Sequence, residues 1–453
     1  MSSAPPGARF PSNRALVKEH GVSPVTVQKA MRQLVALGLA ETLPGVGTFV
    51  RAGRAPKVID YGWQTDALGT SPLRLTDLPS TQRSFASGSI VLHSGYPARD
   101  LLPERLVRAA LSRAARSDAA VHRASAEGHD ELRAWFAQEL ASFAPAGVSP
   151  ATARDVIVTA GSQAGLSSIF RAVVGQGGPL LIESPSYWGA ILAADQAGVV
   201  LVPVRSGPEG PDPADLARAF QTSGARAFYA QPTFANPTGA HWSPSTARAV
   251  LEVTRDNGAF LIEDDWAHDF AIDSAPHPIA SFDEEGRVIY LRSLTKSVSP
   301  ALRVAAVIAR GPARDRILAD RSAEAMYVSG LLQTAALDVV TQPAWRSHVR
   351  QMRAQLGQRR DLLLESLAAH APRVHIAQVP RGGLHLWGML PEGTDVSRLV
   401  RDCETRGLAI APGTEWFPAE PSGPFVRLNY SGENPERFGE AAQILAAALR
   451  EQL

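Results

Sequence analysis

The chain has 453 residues, 45% of them hydrophobic and 20% charged, which is enough for two or three packed domains of ordinary globular composition. A formal net charge of +1 excludes a protein that meets nucleic acid or a membrane along its whole length, but the charge is uneven: residues 1–54 hold seven Lys/Arg against two Glu, a net of +5, leaving −4 for the rest. A single cysteine, Cys403, excludes an internal disulfide framework, and the absence of a leader-like start or a long uncharged apolar run leads to the expectation of a cytoplasmic protein that does not enter membranes.

The first 54 residues read as a small domain. Ser12 is a candidate N-cap for a helix over Ala15 to His20, Gly21 makes a turn, and Ser23-Pro24 caps a second helix. In that second helix Val27, Ala30, Met31, Leu34, Val35 and Leu37 recur at helical spacing until Gly38. Extended stretches at Leu39 to Leu43 and Thr48 to Val50, joined by Pro44-Gly45-Val46-Gly47, form a hairpin. Residues 55–87 lack periodicity and carry Pro56, Gly62, Gly69, Pro72 and Pro79, the composition of an interdomain linker.

From residue 88 to 453 apolar runs alternate with helical stretches. Val156 to Thr159, Leu180 to Ile182, Val199 to Val204, Ala227 to Tyr229, Phe260 to Ile262, Val288 to Leu291 and Ala305 to Ile308 are candidate strands, so an α/β body with a mostly parallel buried sheet is expected.

Chemistry-bearing residues follow several of these strands. Thr159-Ala160-Gly161-Ser162-Gln163-Ala164 opens a helix over Gly165 to Val174, where backbone amides and Ser162 can meet a phosphate. Ser184-Pro185-Ser186-Tyr187 places an aromatic where a flat ring could stack, and Asn236-Pro237-Thr238-Gly239 is a tight turn whose Asn236 can donate a hydrogen bond. Glu263-Asp264-Asp265-Trp266 ends another strand, and a carboxylate there can keep a pyridine nitrogen protonated. Lys296 stands three residues after Ser293 and seven before Arg303, which suits a phosphorylated aldehyde condensed with the lysine. Arg427 in Val426-Arg427-Leu428 can hold a substrate carboxylate. Each motif alone is ordinary; Gly-Ser-Gln is a common helix cap, and a lone lysine is usually solvated. No metal site is expected.

In their order and separations, these motifs resemble the fold-type I aminotransferases of class I/II across residues 88–453. The resemblance implies pyridoxal 5'-phosphate as cofactor, with Ser162, Gln163, Ser293 and Arg303 on its phosphate, Tyr187 stacked on its ring and Asn236 on its phenolic oxygen. It likewise implies Asp264 at the pyridine nitrogen, Lys296 at the Schiff base, Arg427 on the substrate carboxylate, and a small C-terminal α/β domain. The register between Asp264 and Asp265 stays open, and Trp266 replaces the family's tyrosine, so the chemistry at the phenolic oxygen is expected to differ. Where relatives have a tyrosine reaching a partner's phosphate, this chain has His122-Arg123; a substitute cation and a solvated loop both fit.

The N-terminal segment resembles the winged helix-turn-helix of GntR-type regulators through Pro11-Ser12-Asn13-Arg14, Gly21-Val22-Ser23 with Thr26-Val27, and Gly45-Val46-Gly47-Thr48-Phe49-Val50. Pro24 stands where a basic residue is usual, and the family's first helix has only ten residues of chain to occupy, so a shortened N-terminus is expected, by a late start codon or a natural truncation. Head, linker and body together resemble the MocR group of transcription regulators. That resemblance implies a homodimer that binds an operator near its own gene through Thr26, Gln28, Lys29, Arg32 and Thr48 and senses an amino acid or the cofactor. The rival expectation is a working aminotransferase with a vestigial head.

Overall fold

The computed structural model describes residues 5–51, 63–68, 79–86 and 88–452. The chain divides into two compact units, Met1–Pro72 and Leu73–Leu453.

In the first unit, α1 (Asn13–His20) starts under Ser12, whose hydroxyl accepts the Ala15 amide at 3.2 Å, and ends at Gly21 in the left-handed region (φ 65°). Ser23 caps α2 (Pro24–Ala36) in the same way, with proline at its first position. Strands β1 (Ala40–Leu43) and β2 (Gly47–Val50) pair antiparallel as the expected hairpin. Residues 7–10, where no element was expected, run along β2: Gly7 donates to Val50 and Phe10 to Thr48, both at 2.8 Å. Of the residues described between 5 and 51, only Val27 and Ala40 are buried.

Most of the expected linker over 55–87 falls outside the described residues; within it stand a short helix, Trp63–Leu68, and a 3-10 turn, Ser80–Gln82.

The second unit is built on an eight-stranded sheet. Its strands are β3 (Val156–Thr159), β4 (Pro179–Ser184), β5 (Val200–Gly207), β6 (Gly210–Pro211), β7 (Ala227–Ala230), β8 (Phe260–Asp265), β9 (Val288–Ser293) and β10 (Ala305–Ile308), in the order β3-β10-β9-β8-β7-β4-β5-β6. The five central strands β9, β8, β7, β4 and β5 are parallel; β10 runs against both β9 and β3, and β6 against β5. Alternate residues face different cores: Leu261 joins Phe228 and Val288 on one side, and Ile262 joins Tyr229 and Ile289 on the other. Strands β4, β8 and β9 run two or three residues past their apolar runs, through Glu183, Glu263 to Asp265, Arg292 and Ser293, which are polar yet buried; β7 gains only Ala230. Two helices beside the cavity described below begin just past strand ends: α3 (Ser162–Ile169) after β3, passing into a wider π-type turn over Phe170–Val174, and α4 (Trp188–Gln196) after β4. A smaller sheet of β11 (His385–Met389), β12 (Ala411–Pro412) and β13 (Phe425–Asn429), ordered β11-β13-β12, brings Arg427 to its middle strand.

Candidate cofactor and ligand site

Ligands of open α/β sheets collect beyond the carboxyl ends of the parallel strands, and here those ends line a cavity. Strand β8 delivers two neighbouring carboxylates to opposite faces. Asp264 lines the cavity; Tyr229 Oη and Gln231 Nε2 each donate to its Oδ2 at 2.8 Å, while its buried Oδ1 has no partner among the described residues. Asp265 turns away and accepts Tyr290 Oη at 2.6 Å, with His268 Nδ1 at 2.7 Å. Of the two readings left open by the sequence, only Asp264 faces the cavity. Burial raises its carboxyl to about 6, against the pull of Gln231 and Tyr229.

Lys296 reaches the same cavity from the loop after β9. Its Nζ lies 4.2 Å from the centre of the Trp266 ring and has no hydrogen bond or ion pair among the described residues. Burial, reinforced by the charges of Arg427 and Arg303, lowers its pKa to about 7, although Asp264 pulls the other way. A neutral amine is therefore accessible near neutral pH. The Trp266 indole N–H is committed elsewhere, donating to the Phe234 carbonyl at 3.1 Å. The residue that replaces the family's tyrosine thus offers the cavity its ring face rather than a donor.

At one end of the cavity the start of α3 meets Arg303. Gly161 is left-handed (φ 83°), and a Cβ there would stand 2.8 Å from Arg303 Nη2, so glycine is what lets the guanidinium close on the helix N-terminus. Arg303 itself has φ 50°. Ser162 and Ser293 line the same end, and the Ser293 oxygen accepts the Thr295 amide at 3.1 Å, which leaves its proton free. Gln163 is held sideways: it donates to Gly189 O at 2.7 Å and accepts Tyr187 Oη at 3.3 Å. Its side chain therefore positions Tyr187, and its backbone amide is one of the uncapped donors of the first helical turn.

At the opposite end Arg427 is fully buried. Its Nη2 donates to the carbonyls of His93 (2.6 Å) and Ser94 (3.1 Å), its Nη1 to Asn236 Oδ1 (3.3 Å), and its guanidinium stacks over Trp416 at 4.6 Å. Trp416 Nε1 donates to the same Asn236 oxygen at 3.1 Å, which turns the Asn236 amide nitrogen into the free donor. Burial lowers the Arg427 pKa to about 9, so the group stays charged at neutral pH, while His385, 3.1 Å away, is held neutral by burial and that charge.

The structure thus brings all nine body residues named from the sequence to two adjoining cavities that share Gln163, Tyr187, Asn236, Lys296 and Arg303. It adds Tyr229 and Gln231 beneath Asp264, and Tyr96, Trp416 and His385 around the amine and Arg427. Tyr229 reads as an ordinary core aromatic in its strand; Gln231, two residues beyond it, was the available signal. His122 is exposed, and among the described residues its ring meets the Asp118 carbonyl (3.2 Å); Arg123 is exposed beside it.

In the head Thr26, Gln28, Lys29 and Arg32 are exposed along α2, with the Thr26 hydroxyl 2.8 Å from that of Ser23. Thr48, on β2, is half-buried and 3.2 Å from the Thr42 hydroxyl across the hairpin. Pro24 fills the first helical position.

Residues 90–445 match the model of the aminotransferase class I and II family, and residues 2–50 match that of the gntR family of bacterial regulatory proteins. An uncharacterized HTH-type transcriptional regulator of Bacillus subtilis, YdfD, is 26% identical over 99% of this chain and 93% of its own length. The probable rhizopine catabolism regulatory protein MocR of Rhizobium meliloti is 26% identical over 97% of this chain and 89% of its own. Among solved structures, the α-aminoadipate aminotransferase LysN from Thermus thermophilus, in complex with N-(5'-phosphopyridoxyl)-L-leucine, superposes with a TM-score of 0.74 at 26% identity, covering 82% of this chain and 96% of that one. The architecture of head and body is that of the GntR/MocR-like regulators.

Proposed function

The chain belongs to the aminotransferase class I and II family, whose cofactor is pyridoxal 5'-phosphate, and from that premise we propose a transcription regulator that binds DNA through residues 1–54 and senses an amino acid, or the cofactor itself, through residues 88–453, with 55–87 as linker. One observation supports it most: the buried Lys296 amine lines both the cavity of Asp264, whose Oδ1 has no partner among the described residues, and the adjoining cavity of the buried Arg427, in a chain that also carries a GntR-type head.

The residues fit the cofactor. The Oδ1 of Asp264, without a partner among the described residues, would accept a ring N–H, and the Arg303 guanidinium closes over the α3 N-terminus at Gly161, a shape suited to a phosphate dianion. When bound, pyridoxal 5'-phosphate supplies a reactive aldehyde and an electron-withdrawing ring. Lys296 would hold the aldehyde covalently and afterwards move a proton with the same amine. Tyr187, locked by Gln163, would cover one ring face; the Asn236 amide would donate to the phenolic oxygen; Ser162, the Gln163 amide, Ser293 and Arg303 would bind the phosphate. Arg427 would orient the amino acid by its carboxylate.

A two-fold homodimer would hand two basic heads to two half-sites of an operator near its own gene, with the exposed face of α2 in the major groove, Thr48 at the backbone, and a ligand-dependent change in the body altering their spacing. Such a protein would work in the cytoplasm.

The second reading, a working aminotransferase, is favoured by the completeness of the Lys296, Asp264 and Arg427 set. One paired experiment separates them: retardation of the protein's own promoter DNA at low salt, beside absorbance titration with a panel of amino acids and keto acids. Salt-sensitive retardation modulated by an amino acid supports the regulator. Turnover of amino acid with keto acid and no retardation supports the enzyme.

A further inference from the structure

A cavity of about 250 Å³ shares Tyr187, Asn236, Lys296 and Arg303 with the cofactor pocket, and its mouth is bounded by Tyr96, Trp188, Leu192 and Arg427, and by Thr81 and Gln82. The last two lie on residues 79–86, the described end of the linker segment. This segment is pinned on both sides of Thr81 and Gln82. Ser80 donates from both its amide and its hydroxyl to the Glu415 carboxylate, at 2.9 Å each. Arg83 makes a two-pronged contact with Glu404 at 2.8 and 3.2 Å, and its carbonyl meets His93 Nε2 at 3.1 Å. Glu415 is adjacent to Trp416, on which the Arg427 guanidinium stacks.

The charges at this mouth are spoken for. Its described lining holds three cations, Lys296, Arg303 and Arg427, and no carboxylate. On the proposed function these serve the aldehyde, the phosphate and the α-carboxylate, which leaves nothing to pair a charged side chain. Such a side chain would lose its hydration without a compensating partner. Outside the residues assigned to the cofactor and the carboxylate, the wall is Gly95, Tyr96, Trp188, Leu192 and the neutral Thr81 and Gln82.

We propose that the ligand is an amino acid with an uncharged, apolar side chain, and that this side chain packs against Thr81 and Gln82, so the chain segment arriving from the head is itself a wall of the ligand site. The inference rests on the proposed function and deepens it. It supplies the differential contact that a ligand-driven switch requires: the group that distinguishes one amino acid from another touches the linker.

The test uses the full-length protein loaded with pyridoxal 5'-phosphate. Its absorbance band is titrated with L-leucine, L-phenylalanine, L-glutamate, L-lysine and glycine, for the native chain and for Leu192→Arg. Leucine or phenylalanine is expected to act at concentrations at least about 10-fold below glutamate and lysine, and Leu192→Arg to reverse the order in favour of glutamate by a similar factor. In parallel, tryptic cleavage after Arg83 is followed by mass spectrometry; leucine or phenylalanine should slow it about 5-fold or more, and glycine, with the same carboxylate and amine, should not. A native response led by glutamate or lysine overturns the ligand class, and equal protection by glycine and leucine overturns the contact with the linker. A loaded protein whose band answers to no amino acid overturns the amino-acid reading of the sensing function together with this inference.

Discussion

The two units hold their working residues in opposite ways. In the body Asp264, Asn236, Ser293 and Arg427 are all buried; Asp264, Asn236 and Arg427 are fixed by hydrogen bonds to residues distant in sequence, and Ser293 accepts the nearby Thr295 amide. In the head the candidate DNA-contacting residues on α2 are exposed, and two buried side chains, Val27 and Ala40, stand behind them. A site that must desolvate a charged small molecule needs a rigid, prepaired interior, whereas a surface that meets a phosphate backbone keeps its cations in water until the partner arrives.

The contrast can be broken most severely at Lys296. Lys296→Ala should abolish the absorbance band and the cofactor fixed by borohydride reduction, and trapping of cofactor at another lysine would refute the assignment. Because the Lys296 pKa is lowered to about 7, capture of added cofactor by the native apoprotein should speed up as pH rises towards 7 and level off above it. An exposed lysine would keep gaining rate to about pH 10.

Next in size, Val27→Asp should unfold the head, because an unpaired charge in so thin a core costs several times what the site gains from burying valine. DNA retardation would vanish while the yellow band remained; loss of both would show that the two units do not fold independently. Arg427→Ala should weaken the amino-acid response about 10- to 100-fold, the worth of one or two charge-assisted hydrogen bonds, with cofactor retained. Equal loss of cofactor and response would contradict the division between the two ends of the cavity. The smallest effect belongs to Arg32→Ala, a few-fold loss of DNA affinity with the salt slope reduced by about 1.

The interiors of the strands were legible because apolar runs between turns advertise a doubly buried sheet. Their ends were not, since Glu263, Asp264, Asp265, Arg292 and Ser293 are polar yet buried, and hydrophobicity alone stops at Ile262 and Leu291. The motif residues of the cavity were legible through their order along the chain. Tyr229, Tyr96, Trp416 and His385 were not, because their parts depend on partners far away in sequence, as when Trp416 and Asn236 meet across 180 residues. Residues 7–10 escaped notice for another reason: they join the hairpin through backbone amides and carbonyls, which side-chain patterns do not record.

The back-to-back carboxylates of β8 carry a consequence for how this protein can diverge. Leu291 of β9 is opposite Asp264, and Arg292 is opposite Asp265. Deleting or inserting one amino acid before them would exchange their faces, leaving the cavity with a carboxylate whose His268 and Tyr290 are on the wrong side. Point changes elsewhere in the strand can be absorbed, but its length cannot drift, so gaps among descendants of this gene should fall in the loops and spare residues 260–265.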